Sequence, residues 1–392
     1  MRRILWPGLV LALTLLQVGE VTLSVTAQAP PLRLYLPALS RGLPVFPGVA
    51  LSMTSSRLTP QLKLAVSAVN RFPDLRYDVL LSADGGRNWA PVAAQPWHAL
   101  SAPPGTFWIE RLFVRIIELE GQTALVVSPA WVDPPLFYLS LDLGRTWSER
   151  PLPAAPLCDR VTAGAPVTSA AAPSRLLYTV VCETATAQDA GLFETDDGGA
   201  TWTTLNALTP AVPDWNGDLL ASTQNPGLLY RRELGGWERT WDAAHTWERI
   251  SIPGDHVWLS PNDDLTLAAT PSDGLAGLTS QDGGAGWRGW SQWPCVANST
   301  YVRGPVWLRG ASATLVAACA DGSLIRSRDG GQSWDTLPLP IGGAVFVLAG
   351  DDAQAATLYV QSGSQSASPK YRLYRSTDAG DTWQDVLLLD GT

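Results

Sequence analysis

The sequence predicts an all-β protein: a single seven-bladed β-propeller of four-stranded antiparallel blades. Three observations lead there: an octapeptide that recurs seven times at blade-sized intervals, strand-like segments ahead of the copies, and a composition suited to strands and turns. Of the 392 residues, 46% are hydrophobic and only 16% charged, with 35 Gly, 31 Pro and 18 Trp. A large core can therefore coexist with many tight connections.

The octapeptide reads SADGGRNW at 82–89, SLDLGRTW at 140–147, TDDGGATW at 195–202 and TWDAAHTW at 240–247, then SQDGGAGW at 280–287, SRDGGQSW at 327–334 and STDAGDTW at 376–383. The pattern is Ser/Thr-x-Asp-x-Gly-x-x-Trp, broken once, where Ala244 replaces Gly. Each residue type suits a hairpin tip. Asp84, Asp142, Asp197, Asp242, Asp282, Asp329 and Asp378 can accept backbone N–H groups of their own turns, and Gly supplies a positive φ. Trp89, Trp147, Trp202, Trp247, Trp287, Trp334 and Trp383 re-enter the sheet and can bury an indole against a neighbouring repeat. Ahead of the tips lie segments such as Tyr77-Asp78-Val79-Leu80-Leu81 and Tyr371-Arg372-Leu373-Tyr374-Arg375, which read as strands.

The motif tryptophans are 40 to 58 residues apart, one four-stranded blade each. With strands lettered A to D from the axis outward, the octapeptide is the C-to-D hairpin. The D-to-A and B-to-C loops then lie on the opposite face.

Ahead of the ring, Arg2 and Arg3 precede an apolar run from Leu9 to Val18 and small residues near Ala27, which reads as a signal peptide over 1–27. A membrane anchor is the competing reading, but the run has about half of the ~20 apolar residues a spanning helix needs. Residues 28–47 carry Pro30, Pro31, Pro37, Pro44 and Pro47 and read as an extended linker, leaving 48–392 for the propeller. The expectation is a secreted or extracytoplasmic bacterial protein without a membrane span after cleavage, acting as a monomer.

A net charge of −9 and no dense basic run argue against nucleic acid as a partner. Four cysteines form two pairs, Cys158 with Cys182 and Cys295 with Cys319, each 24 positions apart. In both, the first Cys lies near the start of strand A and the second near the end of strand B, which antiparallel pairing brings together. In an exported chain these should be disulfides, each contributing about 2–4 kcal/mol. A zinc site is the alternative, but CxxC spacing is missing and His98, His245 and His256 are far apart in sequence.

With these motifs the chain resembles the Asp-box (BNR) repeat superfamily, which includes sialidases, xyloglucanases, sortilin-type receptors and photosystem II stability and assembly factors. The resemblance covers nearly the whole chain after the leader and implies the propeller fold with the octapeptide Asp residues structural. The count of seven looks most like the assembly-factor and xyloglucanase-type propellers. Sialidase activity would need an N-terminal Arg-Ile-Pro signature, and the nearest stretch here is Val45-Phe46-Pro47.

A glycosidase needs two carboxylates about 5 to 9.5 Å apart across a sugar site. Asp214, Asp218, Asp255, Asp263, Asp264, Asp351 and Asp352 are candidates, but the last two pairs fall at A-to-B turns and are expected to be solvated turn acids on the octapeptide side. No catalytic residue, cofactor or metal site is therefore assigned. Trp97, Trp215, Trp258 and Trp293, with Trp290, lie in D-to-A connections or at strand A starts. They would suit sugar stacking or a protein hot spot, unless they fill wedges between blades. The functional expectation is a non-catalytic propeller binding a protein or glycan through the loops opposite the octapeptides, with a polysaccharide-acting glycoside hydrolase as the alternative.

Overall fold

Strands of two to twelve residues alternate with tight turns along the chain. The computed structural model describes residues 53–392 apart from 57–58, 72–73, 101–111, 131, 133, 154–157, 185–187, 211–218, 234–235, 255, 271–276, 292–294, 296–302, 312, 320, 340–343, 364–369 and 391–392. The leader and the linker lie outside these residues. Residues 47–392 form one compact unit.

Seven antiparallel sheets follow one another in chain order, each built from consecutive strands. They are the seven blades, at 53–91, 112–151, 160–210, 219–250, 256–289, 303–337 and 344–390. Six have four strands, and the third has a divided inner strand, Arg160–Ala163 and Val167–Ser169, both paired with Ala172–Glu183. Pro166 explains the break, because it has no N–H to give the ladder. The preceding Gly164 still donates to the Thr179 carbonyl at 2.9 Å.

Burial explains why these strands do not all alternate. Three second strands, Leu267–Thr270, Leu315–Ala318 and Leu358–Gly363, are buried at every position because neighbouring blades cover both faces. Continuous apolar runs result. The outermost strands Ala90–Pro91 and Arg288–Gly289 are exposed throughout.

The motif tryptophans pack backwards, each against the blade before its own. Trp147 meets Trp97 of blade 1 at 5.2 Å, and Trp202 meets Phe137 of blade 2 at 6.3 Å. Trp334 meets Trp290 of blade 5 at 5.2 Å, and Trp383 joins a cluster with Leu324 and Leu337 of blade 6. The series closes when Trp89 of blade 1 meets Tyr359 of blade 7 at 6.4 Å.

Among the described residues no strand is exchanged between the first and last blades, and side chains and turns seal the ring there. Lys63 Nζ lies 2.8 and 2.7 Å from the two carboxylate oxygens of Asp351, with both side chains at most 1% exposed. Tyr359 donates to the Gly85 carbonyl at 3.1 Å, and Gln354 donates to the Pro60 carbonyl at 3.2 Å. Asp351 therefore departs from the expectation of a solvated turn acid. It is buried because it answers the ammonium of Lys63, whose pKa burial pushes down against the pull of Asp351.

Both disulfides form as paired in the sequence, Cys158 with Cys182 and Cys295 with Cys319, each with Cα atoms 5.3 Å apart. Each ties an inner strand's approach to the strand beside it. No helix among the described residues is long and apolar enough to cross a membrane.

Candidate functional site

All seven octapeptides are hairpin tips between the third and fourth strands of their blades. The first shows the shared geometry. Ser82 Oγ accepts the Gly86 N–H at 2.9 Å and donates to Asp84 Oδ1 at 2.8 Å. Oδ1 of Asp84 also accepts the N–H groups of Arg87 and Asn88 at 3.0 and 2.9 Å. Gly85 and Gly86 have φ of +75° and +83°, and a Cβ on Gly86 would stand 2.2 Å from the Tyr359 hydroxyl. In blade 4 two alanines hold the same left-handed conformation, Ala243 at +60° and Ala244 at +76°.

The seventh position of the motif also matters, although the sequence pattern left it open. Asn88, Thr146, Thr201, Thr246, Ser333 and Thr382 each donate a side-chain hydrogen bond to the second carboxylate oxygen of their Asp, at 2.5 to 2.7 Å. Only Gly286 has no group to do so. The recurrence of Asn, Ser and Thr there was the available signal.

These bonds hold the carboxylates in the charged form. Backbone N–H donation from Asn88 holds Asp84 down at about 2, and the Thr146 and Thr201 hydroxyls lead the same effect at Asp142 and Asp197, both about 2. A group ionised so persistently has no proton to give, which fits a structural role and not general-acid chemistry.

The other acids at the A-to-B turns are similarly engaged. Asp263 Oδ1 accepts the N–H groups of Leu265 and Thr266 at 2.9 and 2.6 Å. Asp264 accepts the Ser222 hydroxyl of the preceding blade. Asp351 Oδ1 accepts the N–H groups of Ala353 and Gln354 besides its bond with Lys63. Asp214, Asp218 and Asp255 lie outside the described residues, as do Trp215 and Trp293.

On the opposite face, the structure separates the tryptophans. Trp97, at 2% exposure, belongs to the core between blades 1 and 2, and its Nε1 donates to the Tyr77 carbonyl at 3.0 Å. Beside it, His98 Nε2 donates to the same carbonyl at 2.7 Å and lies 3.1 Å from the Asp78 carboxylate, so this pair pegs the D-to-A connection onto blade 1. Trp290 fills the wedge between blades 5 and 6, donating to Thr279 Oγ1 at 2.7 Å. Trp258 is only partly buried. It stands on the inner strand His256–Leu259 of blade 5 and packs towards Trp307 of blade 6. The exposed ring of His256, two residues earlier on the same side of that strand, is 6.1 Å from it. His256 and Trp258 thus make a two-ring surface at the inner rim of the opposite face, and the sequence had left His256 without a role. Among the described residues no group of three or more His, Cys, Asp and Glu side chains gathers as a metal site would require.

No protein-family model matches the chain, and no curated protein matches it. Among solved structures it is similar to the GH74 xyloglucanase of Xanthomonas campestris, at 18% identity and TM-score 0.45, over 86% of this chain and 54% of that one. It is similar to YCF48 from Cyanidioschyzon merolae, at 16% identity and TM-score 0.48, over 81% of this chain and 94% of that one. A prolyl endopeptidase structure aligns at 11% identity and TM-score 0.53, over 88% of this chain and 50% of that one. The chain spans about half the length of the xyloglucanase and of the endopeptidase. At 11% identity the endopeptidase likeness concerns the fold alone and not an activity.

Proposed function

We propose that this protein is an extracytoplasmic, non-catalytic binding propeller that engages a protein or glycan partner through the loops opposite the octapeptides. One observation supports the reading above the others: the octapeptide acids and the acids of the turns beside them are engaged in the hydrogen bonds and the ion pair that build the ring. The octapeptide acids themselves are committed to architecture, which points to the opposite loops for the main partner. The His256–Trp258 surface is the described part of this binding face; Trp215 and Trp293 lie outside the described residues and join it here only because the sequence puts them in D-to-A connections. Trp97 serves this face only indirectly, by anchoring a connection. Two disulfides fit an oxidising compartment outside the cytoplasm.

The test is a pull-down from the native host with wild type and a Trp215→Ala/Trp258→Ala/Trp293→Ala variant. Loss of one reproducible partner with an unchanged thermal midpoint supports the reading; a partner retained in full by the variant moves binding elsewhere. Turnover of chromogenic glycosides or β-glucans, abolished by Asp214→Asn, Asp218→Asn or Asp255→Asn, would replace it with glycoside hydrolysis.

A further inference from the structure

The four large apolar side chains exposed among the described residues are Leu141, Leu143, Trp241 and Leu265, and all four lie on the octapeptide face. Two of them, Trp241 at 41% and Leu265 at 42% exposure, meet in a cleft of about 540 Å³ between blades 4 and 5. Asp263, Asp264, Thr266 and Gln281 complete its lining. The cleft is shallow and open to solvent, suited to a single side chain, and its lining combines apolar contact with a few placed polar groups.

Trp241 is held ready. Its Nε1 donates to Glu248 Oε1 at 3.1 Å, and the Arg239 guanidinium lies 5.0 Å from the ring centroid. Arg239 is itself held at 2.6 Å by both Glu248 and the Gly283 carbonyl. An exposed indole fixed at its edge loses little freedom on binding. Elsewhere in the motif the second position holds Ala83, Leu141, Asp196, Gln281, Arg328 and Thr377, so the hairpin does not need Trp there.

The charge of the cleft selects among ligands. Both turn bonds to Asp263 fall on Oδ1, and Ser222 donates to Oδ1 of Asp264, so each carboxylate keeps an oxygen outside these bonds. Among the described residues neither carboxylate meets a cation. Arg239 is matched by Glu248, and the lining therefore carries two negative charges beside an aromatic and an aliphatic surface. A neutral sugar would leave that charge unanswered, and an anion would be repelled. A planar guanidinium answers one of the two charges and suits both surfaces: it bonds a carboxylate through paired N–H groups, stacks on an indole, and lays its aliphatic stem on Leu265.

We propose that the cleft formed by Trp241, Leu265, Asp263 and Asp264 is a second binding site, on the octapeptide face, which takes an arginine side chain of a partner polypeptide. It is independent of the opposite face and does not require that the His256–Trp258 surface bind anything.

Calorimetric titration of the full chain with an acetylated, amidated tetra-arginine peptide at physiological ionic strength tests this. The variants are Trp241→Ala and the isosteric Asp263→Asn/Asp264→Asn, which keeps the Oδ1 acceptors and removes the charge. Saturable binding that each variant weakens about tenfold or more, with tetra-lysine binding less tightly than tetra-arginine, supports the site. Absent binding, or equal binding by wild type and both variants, overturns it, the latter as diffuse attraction to an acidic protein. Binding of a neutral cello-oligosaccharide that is lost in Trp241→Ala, without tetra-arginine binding, also overturns it in favour of a sugar site. Circular dichroism checks the fold, and if Trp241→Ala fails to fold the charge variant decides alone. Trp258→Ala should leave the titration unchanged.

Discussion

The junction between blades 7 and 1 differs from the junctions between blades that follow each other in the chain. Where a short connection already holds two blades side by side, the A-to-B turns meet through lighter polar contacts. Thr59 meets Thr123 at 3.0 Å, Ser222 donates to Asp264, and Asn262 donates to the Leu308 carbonyl at 2.9 Å. Where the ring closes, the partners are 288 positions apart in sequence, and there the chain places a buried ion pair instead. Bringing such distant segments together costs conformational entropy that local connections avoid. A buried ion pair adds little net stability, but an unmatched partner is very unfavourable, so Lys63 and Asp351 enforce correct closure more than they strengthen it.

Removing one partner should therefore have the largest effect. Lys63→Met leaves Asp351 buried without its cation and should lower unfolding stability in urea by about 3–5 kcal/mol. Adding Asp351→Asn should restore most of the loss; a single variant costing no more than about 1 kcal/mol would make the closing junction ordinary.

Tyr359 sharpens the same contrast, since it reaches across the closing junction to the Gly85 carbonyl. Gly86→Ala combines a φ of +83° with a Cβ 2.2 Å from that hydroxyl and should cost about 2–4 kcal/mol by the same measurement. At Ala244, already at +76° in blade 4, the reverse change to Gly should stabilise by up to about 1 kcal/mol.

The smallest effect per residue should come from acid, because the octapeptide hairpins are solvent-exposed and alike at every junction. Asp84, Asp142, Asp197 and Asp329 titrate near 2 when folded and near 3.9 when unfolded. Their stabilisation is present in full above about pH 4 and is lost as pH falls through about 2. Urea midpoints measured from pH 6 to 2 should hold level and then decline; a flat profile would mean that these carboxylates are no better bonded in the ring than in the unfolded chain.

Much of the ring was legible because its signals are local. A hairpin tip that satisfies its own donors with Ser82 and Asp84 and requires a positive φ at Gly86 reports its geometry within eight residues. Seven copies at blade-length spacing then report the architecture, and two cysteine pairs at equal separation report their bonds. The seventh motif position was equally local and was passed over only because Asn, Ser and Thr differ in name while sharing a hydrogen-bond donor. Site residues were less legible. Trp97, Trp258 and Trp290 have the same sequence signature, yet one is core, one is half-exposed and one is an inter-blade wedge.

The sequence alone determined the all-β class, the number of blades, the position of the octapeptides at C-to-D hairpins and the disulfide pairing, because each follows from bonds closed within one turn or one pair of adjacent strands. Only the tertiary structure decided that Asp351 is buried against Lys63, that Trp97 is core, and that Trp241, Leu265, Asp263 and Asp264 share a cleft. Those outcomes depend on which blades become neighbours around the ring, and residues brought together from separate blades leave no mark in the spacing of either one.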